Sequence, residues 1–329
     1  MKLKLTSLIA GLAMATALSG AAYAKELRLS HQWSTKDIRH KVAQIVADEV
    51  AKANVDLTIK IFPSKSLFKP REQYKPLSAG QLDMSVFPLS YAGGLRGEYN
   101  LTLMPGLVKN HDHAKRLNKS EFMNRIKKIM DDAGVMVLAD TWLAGGFVSK
   151  ERCVLVPEDV KGLKFRAAGK AFNQMLAAAG ASIASMPSSE IYTGLQTGVI
   201  DSANTSSSSL VSYRIYEQVS CLTAPGANAL WVMYEPILMS KKSFAKLSEA
   251  QQKEILKAGK MAEEFASKAS KEADQKLVDA YKNAGVKVVE MTAEQAAMWR
   301  KVADESSYKD FAEKVKGGKE LLDLALSVE

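Results

Sequence analysis

The chain of 329 residues carries no motif of a familiar catalytic class. It has no G-x-S-x-G elbow, no phosphate-binding loop and no dinucleotide fingerprint, so nothing in it anchors acyl transfer, nucleotide hydrolysis or hydride transfer. The Ala92-Gly93-Gly94-Leu95 stretch reads as a turn. Histidine is scarce, with only His31, His40, His111 and His113. The last two stand two apart, which on a helix points them to different faces, and no cysteine or glutamate with zinc-like spacing accompanies them. Asp131 and Asp132 are adjacent carboxylates, but beside lysines at a helix end they read as solvated charge. The expectation is no enzyme, no metal and no cofactor.

Cysteine is nearly absent as well. Cys153 and Cys221 could be joined in an oxidising compartment or remain separate buried thiols, and the sequence leaves both open. A basic block interleaved with aromatics is also missing. The formal charge of +9 is spread through alternating helical charges such as Lys253, Glu254, Lys257, Lys260, Glu263 and Glu264, which reads as a solvated face and gives no nucleic-acid partner.

One long apolar run is present. Lys2 and Lys4 precede an uncharged stretch from Leu5 to Leu18, and Ala22-Tyr23-Ala24 supplies a small-x-small cleavage pattern, so residues 1–24 read as a signal peptide cut after Ala24. The run is shorter than the ~20 residues a bilayer-spanning helix needs. No cysteine near the cut suggests a lipid tether. Losing Lys2 and Lys4 lowers the net charge to +7, and the remaining length suggests two domains.

Along that length, strand and helix patterns alternate. Strands are expected at Glu26–Ser30, Leu57–Phe62 and Met84–Phe87, with helices at Asp37–Ala53 and Glu72–Ala79. A helix around His113–Ala133 leads to strands Val135–Ala139, Phe147–Leu155 and Lys164–Ala167. Helix Ala171–Ala179, strand Ser182–Ser185, helix Ser189–Thr197 and strand Ile200–Ala203 follow. The alternation predicts an α/β fold with a parallel, wound sheet. From Phe244 to Ala284 the chain is rich in Ala, Lys and Glu and predicts one very long helix, kinked near Gly259.

Within this pattern Arg166 ends a short apolar strand and precedes Ala167-Ala168-Gly169. That spacing puts a guanidinium at the carboxyl end of a strand, where wound sheets hold ligands. Its planar fork suits a carboxylate. The competing account is a surface arginine paired with an acid.

Several segments taken together resemble the solute-binding proteins of tripartite ATP-independent periplasmic (TRAP) transporters. They are Leu67–Gly80 followed by Leu82-Asp83-Met84, Pro157–Arg166, Met186-Pro187-Ser188-Ser189-Glu190 through Asp201, and Tyr216-Glu217. The resemblance implies a two-lobed periplasmic binding protein with hinge-crossing strands and a long helix spanning both lobes. Lobe I would comprise residues 25–143 plus about 232–271, and lobe II residues 144–231 plus about 272–329. It further implies that Arg166 fixes a substrate carboxylate and that Asn204 adds a hydrogen bond. Gln32, Phe87 and Ser188 fall at pocket positions, with Trp33, Trp142 and Phe147 beside such positions. The implied partners are a small organic acid and the membrane subunits of a TRAP transporter, served by a monomer in the periplasm.

One departure stands out. Many members carry a further cleft arginine about twenty residues before Arg166, where this chain reads Ala144-Gly145-Gly146-Phe147, so Gly146 would leave empty space. A single arginine favours a monocarboxylate. A second carboxylate would require Arg71 or Arg96 to turn inward. The hole and the aromatics beside it could admit a ring-bearing acid, although Trp142 and Phe147 could equally pack the core. A sensory receptor or an ABC-type binding protein could use the same cleft architecture.

Overall fold

The computed structural model describes residues 25–329; the expected signal peptide lies outside the described residues. Among the described residues, twelve strands form two sheets. They are β1 (Lys25–Ser30), β2 (Leu57–Phe62), β3 (Met84–Val86), β4 (Val135–Ala139), β5 (Trp142–Ser149), β6 (Lys164–Ala167), β7 (Ser182–Ser185), β8 (Ser202–Ser206), β9 (Cys221–Thr223), β10 (Trp231–Tyr234), β11 (Ile237–Ser240) and β12 (Lys287–Val289).

The first sheet has the order β2-β1-β3-β11-β4, and the second runs β12-β9-β5-β8-β6-β7 with β10 also paired to β5. Parallel pairing joins β1 to β2 and β3, and β6 to β7 and β8. The sheets are nevertheless mixed, not wholly parallel as expected. β11 runs antiparallel to β3 and β4, and β5 runs antiparallel to β8, β9 and β10. The chain leaves the first sheet between β4 and β5 and returns between β10 and β11.

The long helix Glu249–Asn283 braces both sheets and spans roughly 50 Å at about 1.5 Å per residue. Ser248 caps its start, accepting from the Gln251 N–H while the Gln251 side chain accepts from Ser248 N–H. It runs as one helix through Gly259 with no break there. The glycine has a packing reason instead, because a Cβ at that position would lie 2.4 Å from the main-chain oxygen of Leu138. Helix Ile38–Lys52 packs beside it, burying Val42, Ala43, Val46 and Val50 at helical spacing over the first sheet.

Two local expectations fail for identifiable reasons. The helix foreseen over residues 113–133 is two, His111–Leu117 and Glu121–Asp132, because Ser120 starts the second by accepting from Met123 N–H. The strand foreseen at Phe147–Leu155 is β5, five residues earlier. β5 is buried at every position, so it shows none of the alternation that marks a half-buried strand. The last helix, Gly318–Leu326, packs on helix Glu121–Asp132. Cys153 and Cys221 form a disulfide, with Cα atoms 5.2 Å apart.

Candidate functional site

Arg166 lies on β6 with no exposed surface, and none of its three protein partners carries a charge. Nε donates to the Met186 carbonyl at 3.0 Å, Nη1 to the Asn204 carbonyl, and Nη2 to the Tyr91 hydroxyl at 3.1 Å. A guanidinium has five N–H groups. Two therefore remain, one on each terminal nitrogen, in the arrangement that accepts a carboxylate through paired bonds. Burial pulls the Arg166 pKa below its ordinary value, and the nearby Arg71 charge adds to the fall while Tyr91 and Glu235 oppose it. This is a buried cation short of negative charge.

Tyr91 stands in the helical turn Leu89–Ala92 after β3, so it reaches Arg166 from the first-sheet side. Its oxygen also accepts from the Ser188 backbone N–H at 3.2 Å. Both phenolic lone pairs are then occupied, and the O–H is left to donate elsewhere. Phe87 supports the ring edge to face at 6.3 Å, and the Arg71 guanidinium lies over it at 4.4 Å. Arg71 also donates to Ser185 Oγ at 3.4 Å, which closes the mouth between the two sides.

Several buried polar side chains have no partner among the described residues. Both amide atoms of Asn204, on β8 beside Arg166, are buried without a partner. So are both amide atoms of Gln32, two residues beyond the end of β1. Leaving such groups unpaired costs about 1–3 kcal/mol each. A bound polar molecule would satisfy them.

A second buried cation lies near this cluster and is fully neutralised. Arg39 Nε and Nη2 bind the two carboxylate oxygens of Asp37 at 2.7 Å, Nη1 binds Glu235 at 2.6 Å, and Nη2 also donates to Ser209 Oγ at 2.8 Å. Its guanidinium stacks on the Trp33 ring at 4.0 Å. Burial pushes the Asp37 carboxyl up, but the charge and hydrogen bonds of Arg39 outweigh it and hold the group below its usual range. Burial keeps Glu235 above its own. Arg39 spends four of its five N–H groups and faces two carboxylates, whereas Arg166 spends three and faces none.

With this geometry in view, the chain was compared with known proteins. Residues 29–314 match the family described as bacterial extracellular solute-binding protein, family 7. The chain belongs to this family. A solute-binding protein of Albidiferax ferrireducens is 36% identical over 323 residues, covering 96% of each chain. The 2,3-diketo-L-gulonate-binding periplasmic protein YiaO of Escherichia coli is 28% identical over 85% of each. Among solved structures, a TRAP periplasmic solute-binding protein from Rhodoferax ferrireducens with bound malonate superposes with a TM-score of 0.88 at 35% identity, covering 92% of this chain and 98% of the other.

Family 7 members are transport receptors, not enzymes, and the two-lobed fold is theirs. In this member of family 7, Arg166, Tyr91, Asn204 and Ser188 come together as described, with Phe87 behind Tyr91, while the Gln32 main-chain carbonyl accepts from the Tyr213 hydroxyl at 3.0 Å. Other expected positions turn away. Phe147 packs between Phe165, Phe172 and Trp299 at centroid distances of 5.9, 6.5 and 5.9 Å, inside the apolar core. Trp142 packs on Tyr234 with ring centroids 4.8 Å apart and donates to Asn118 Oδ1 at 2.7 Å, facing a separate cavity beside His111 and Glu263. Trp33 serves Arg39. Gly146 leaves no hole, since a Cβ there would lie 2.2 Å from the Thr223 main-chain oxygen. It is glycine because β9 backbone passes at contact distance. Arg96 and Arg71 are both exposed, but Arg71 lies over the Tyr91 ring.

Sequence reasoning missed Tyr91 and Arg39. Arg39 had a signal, being a charge on the same helical face as Val42, Ala43 and Val46. Tyr91 had none, because its role arises only when β3 and β6 approach.

Proposed function

We propose that this chain captures a small organic carboxylate in the periplasm, after export and cleavage behind Ala24, and hands it to the membrane subunits of a TRAP transporter. One observation carries the reading: Arg166 is wholly buried, bonded only to neutral oxygens, and keeps two N–H groups unspent. An anion there recovers the desolvation cost of the cation. The Tyr91 hydroxyl would donate to the same carboxylate, while the amides of Gln32 and Asn204 would bond the remainder of the molecule.

Because Arg166 contacts come from both sheets, the solute stabilises the closed form through contacts absent from the open one. A monocarboxylate satisfies Arg166 by itself. Arg71 above the Tyr91 ring favours a second reading, in which a short dicarboxylate spans both cations. Support for an aromatic acid is removed with Phe147 and Trp142 facing elsewhere.

A thermal-shift screen tests this directly, since a ligand that binds only the folded form adds about 2.7 kcal/mol of stability at a hundred times its Kd. Acetate, propionate, malonate, succinate and benzoate are compared with neutral sugars. Small aliphatic acids should raise the melting temperature; a shift only with neutral sugars would contradict the carboxylate reading.

A further inference from the structure

On the flank of the molecule, outside the Arg166 cluster, helices Ile38–Lys52, Ser207–Ser212 and Glu249–Asn283 enclose a groove of about 460 Å³. Lys36, Lys41, Arg214 and Lys276 line it, and no carboxylate does. The charges come from three separate stretches of chain: one beside β1, one after β8, and the bracing helix. Arg214 and Lys276 each have one flanking acid, Glu217 and Glu272 respectively. Lys36 and Lys41 are exposed and form no ion pair among the described residues. Arg214 adopts a φ of +55°, in the left-handed region that residues with side chains rarely occupy. An arginine is thus held at a strained position on the rim of the groove. The partly buried side chains of Ile38 and Val211 give it an apolar floor.

We propose that this groove docks an acidic peptide segment of a partner protein. The four cations come from three stretches of chain around an apolar floor, which matches a peptide carrying several carboxylates and a small aliphatic residue. A single inorganic anion would use cations converging on one point. A bilayer surface is flat, whereas this surface is concave and set between elements of both sheets. The groove's own chemistry does not depend on the transport reading.

The test is fluorescence anisotropy of a fluorescein-labelled peptide of alternating Glu and Leu, titrated with the mature protein at about 20 mM salt, where charge is weakly screened. The quadruple variant K36E/K41E/R214E/K276E is compared with K253E/K257E/K260E/K268E, which removes the same charge elsewhere on the long helix. The expected result is a loss of about tenfold or more in affinity for the first variant and less than about twofold for the second. Equal losses would reduce the effect to net charge and overturn the proposal. So would unchanged binding in both, or selective loss of binding to vesicles of anionic phospholipid with peptide binding intact. Thermal-shift and calorimetric titration with malonate on the same variants reports whether the cleft is intact. Failure of malonate to bind even the wild-type chain would count against that carboxylate in the transport reading and leave the peptide result standing.

Discussion

The Tyr91 hydroxyl accepts from Arg166 Nη2 at 3.1 Å and from the Ser188 backbone N–H at 3.2 Å, tying a residue after β3 to two on the opposite side of the cleft. Replacing Tyr91 with Phe leaves both donors buried without an acceptor and removes the one hydroxyl hydrogen aimed at a guest. Carboxylate affinity should fall by about 1–3 kcal/mol, read by calorimetry. Tyr91→Phe should also shift the unliganded chain toward an open form, visible as a larger radius of gyration in X-ray scattering. Unchanged affinity and scattering would show the bond to be incidental.

Much of this arrangement could be read before the structure. Strands β2, β4, β6 and β7 lie where short apolar runs between turn residues placed them, and Arg166 stood out as a charge ending one of those runs. Helix Ile38–Lys52 was legible from its period. β5 was not, since burial on both faces erases alternation. Gly146 was misread for a related reason: the sequence shows a missing side chain, but not the Thr223 oxygen that fills its place. Trp142 lies three residues before the glycine pair and Phe147 one after it, yet alternation along the strand and neighbouring rings decide where each points.

His31 makes acid stability predictable. Its Nδ1 accepts from the Trp33 backbone N–H at 3.2 Å, so the proton resides on Nε2, which donates to His40 Nδ1 at 3.1 Å. Burial, with help from His40 and Arg39 and against Asp37, pulls the His31 pKa down to about 3. Burial lowers that of His40 as well, with Asp37 opposing. The unfolded chain therefore binds protons that the folded one refuses. The resulting stability is complete above about pH 6.5 and drains away as pH falls toward 3, at about 1.4 kcal/mol per unit for His31. Asp37, held low, adds a further loss only below its unfolded value of 3.8, whereas Glu235, held high, works in the opposite direction near and above 4.5. Denaturant titrations between pH 7 and 5 should show wild-type stability falling by about 2 kcal/mol. His31→Asn should flatten that slope; an equal slope in the variant would contradict the assignment.

The disulfide between Cys153 and Cys221 closes a separation of 68 residues. A loop of that length contributes roughly 4 kcal/mol by restricting the unfolded chain. The double variant C153A/C221A should melt several degrees lower while retaining solute affinity, because neither cysteine lies among the groups around Arg166. Loss of affinity at temperatures where the variant is folded would place the bridge in the binding machinery.

At Gly146 the crowding by Thr223 forbids even a methyl group without backbone movement. Gly146→Ala should destabilise the chain by about 1–3 kcal/mol or more, measured by urea unfolding. A variant of unchanged stability would restore the empty space that the sequence suggested.

Calorimetry on Arg166 decides the rest. With an acid found by thermal shift, Arg166→Ala should weaken binding by about 3–5 kcal/mol, because a buried anion loses its partner. Arg166→Lys should recover only part of that loss, since an ammonium keeps the charge but not the fork. Wild-type affinity in Arg166→Ala would contradict capture through this guanidinium.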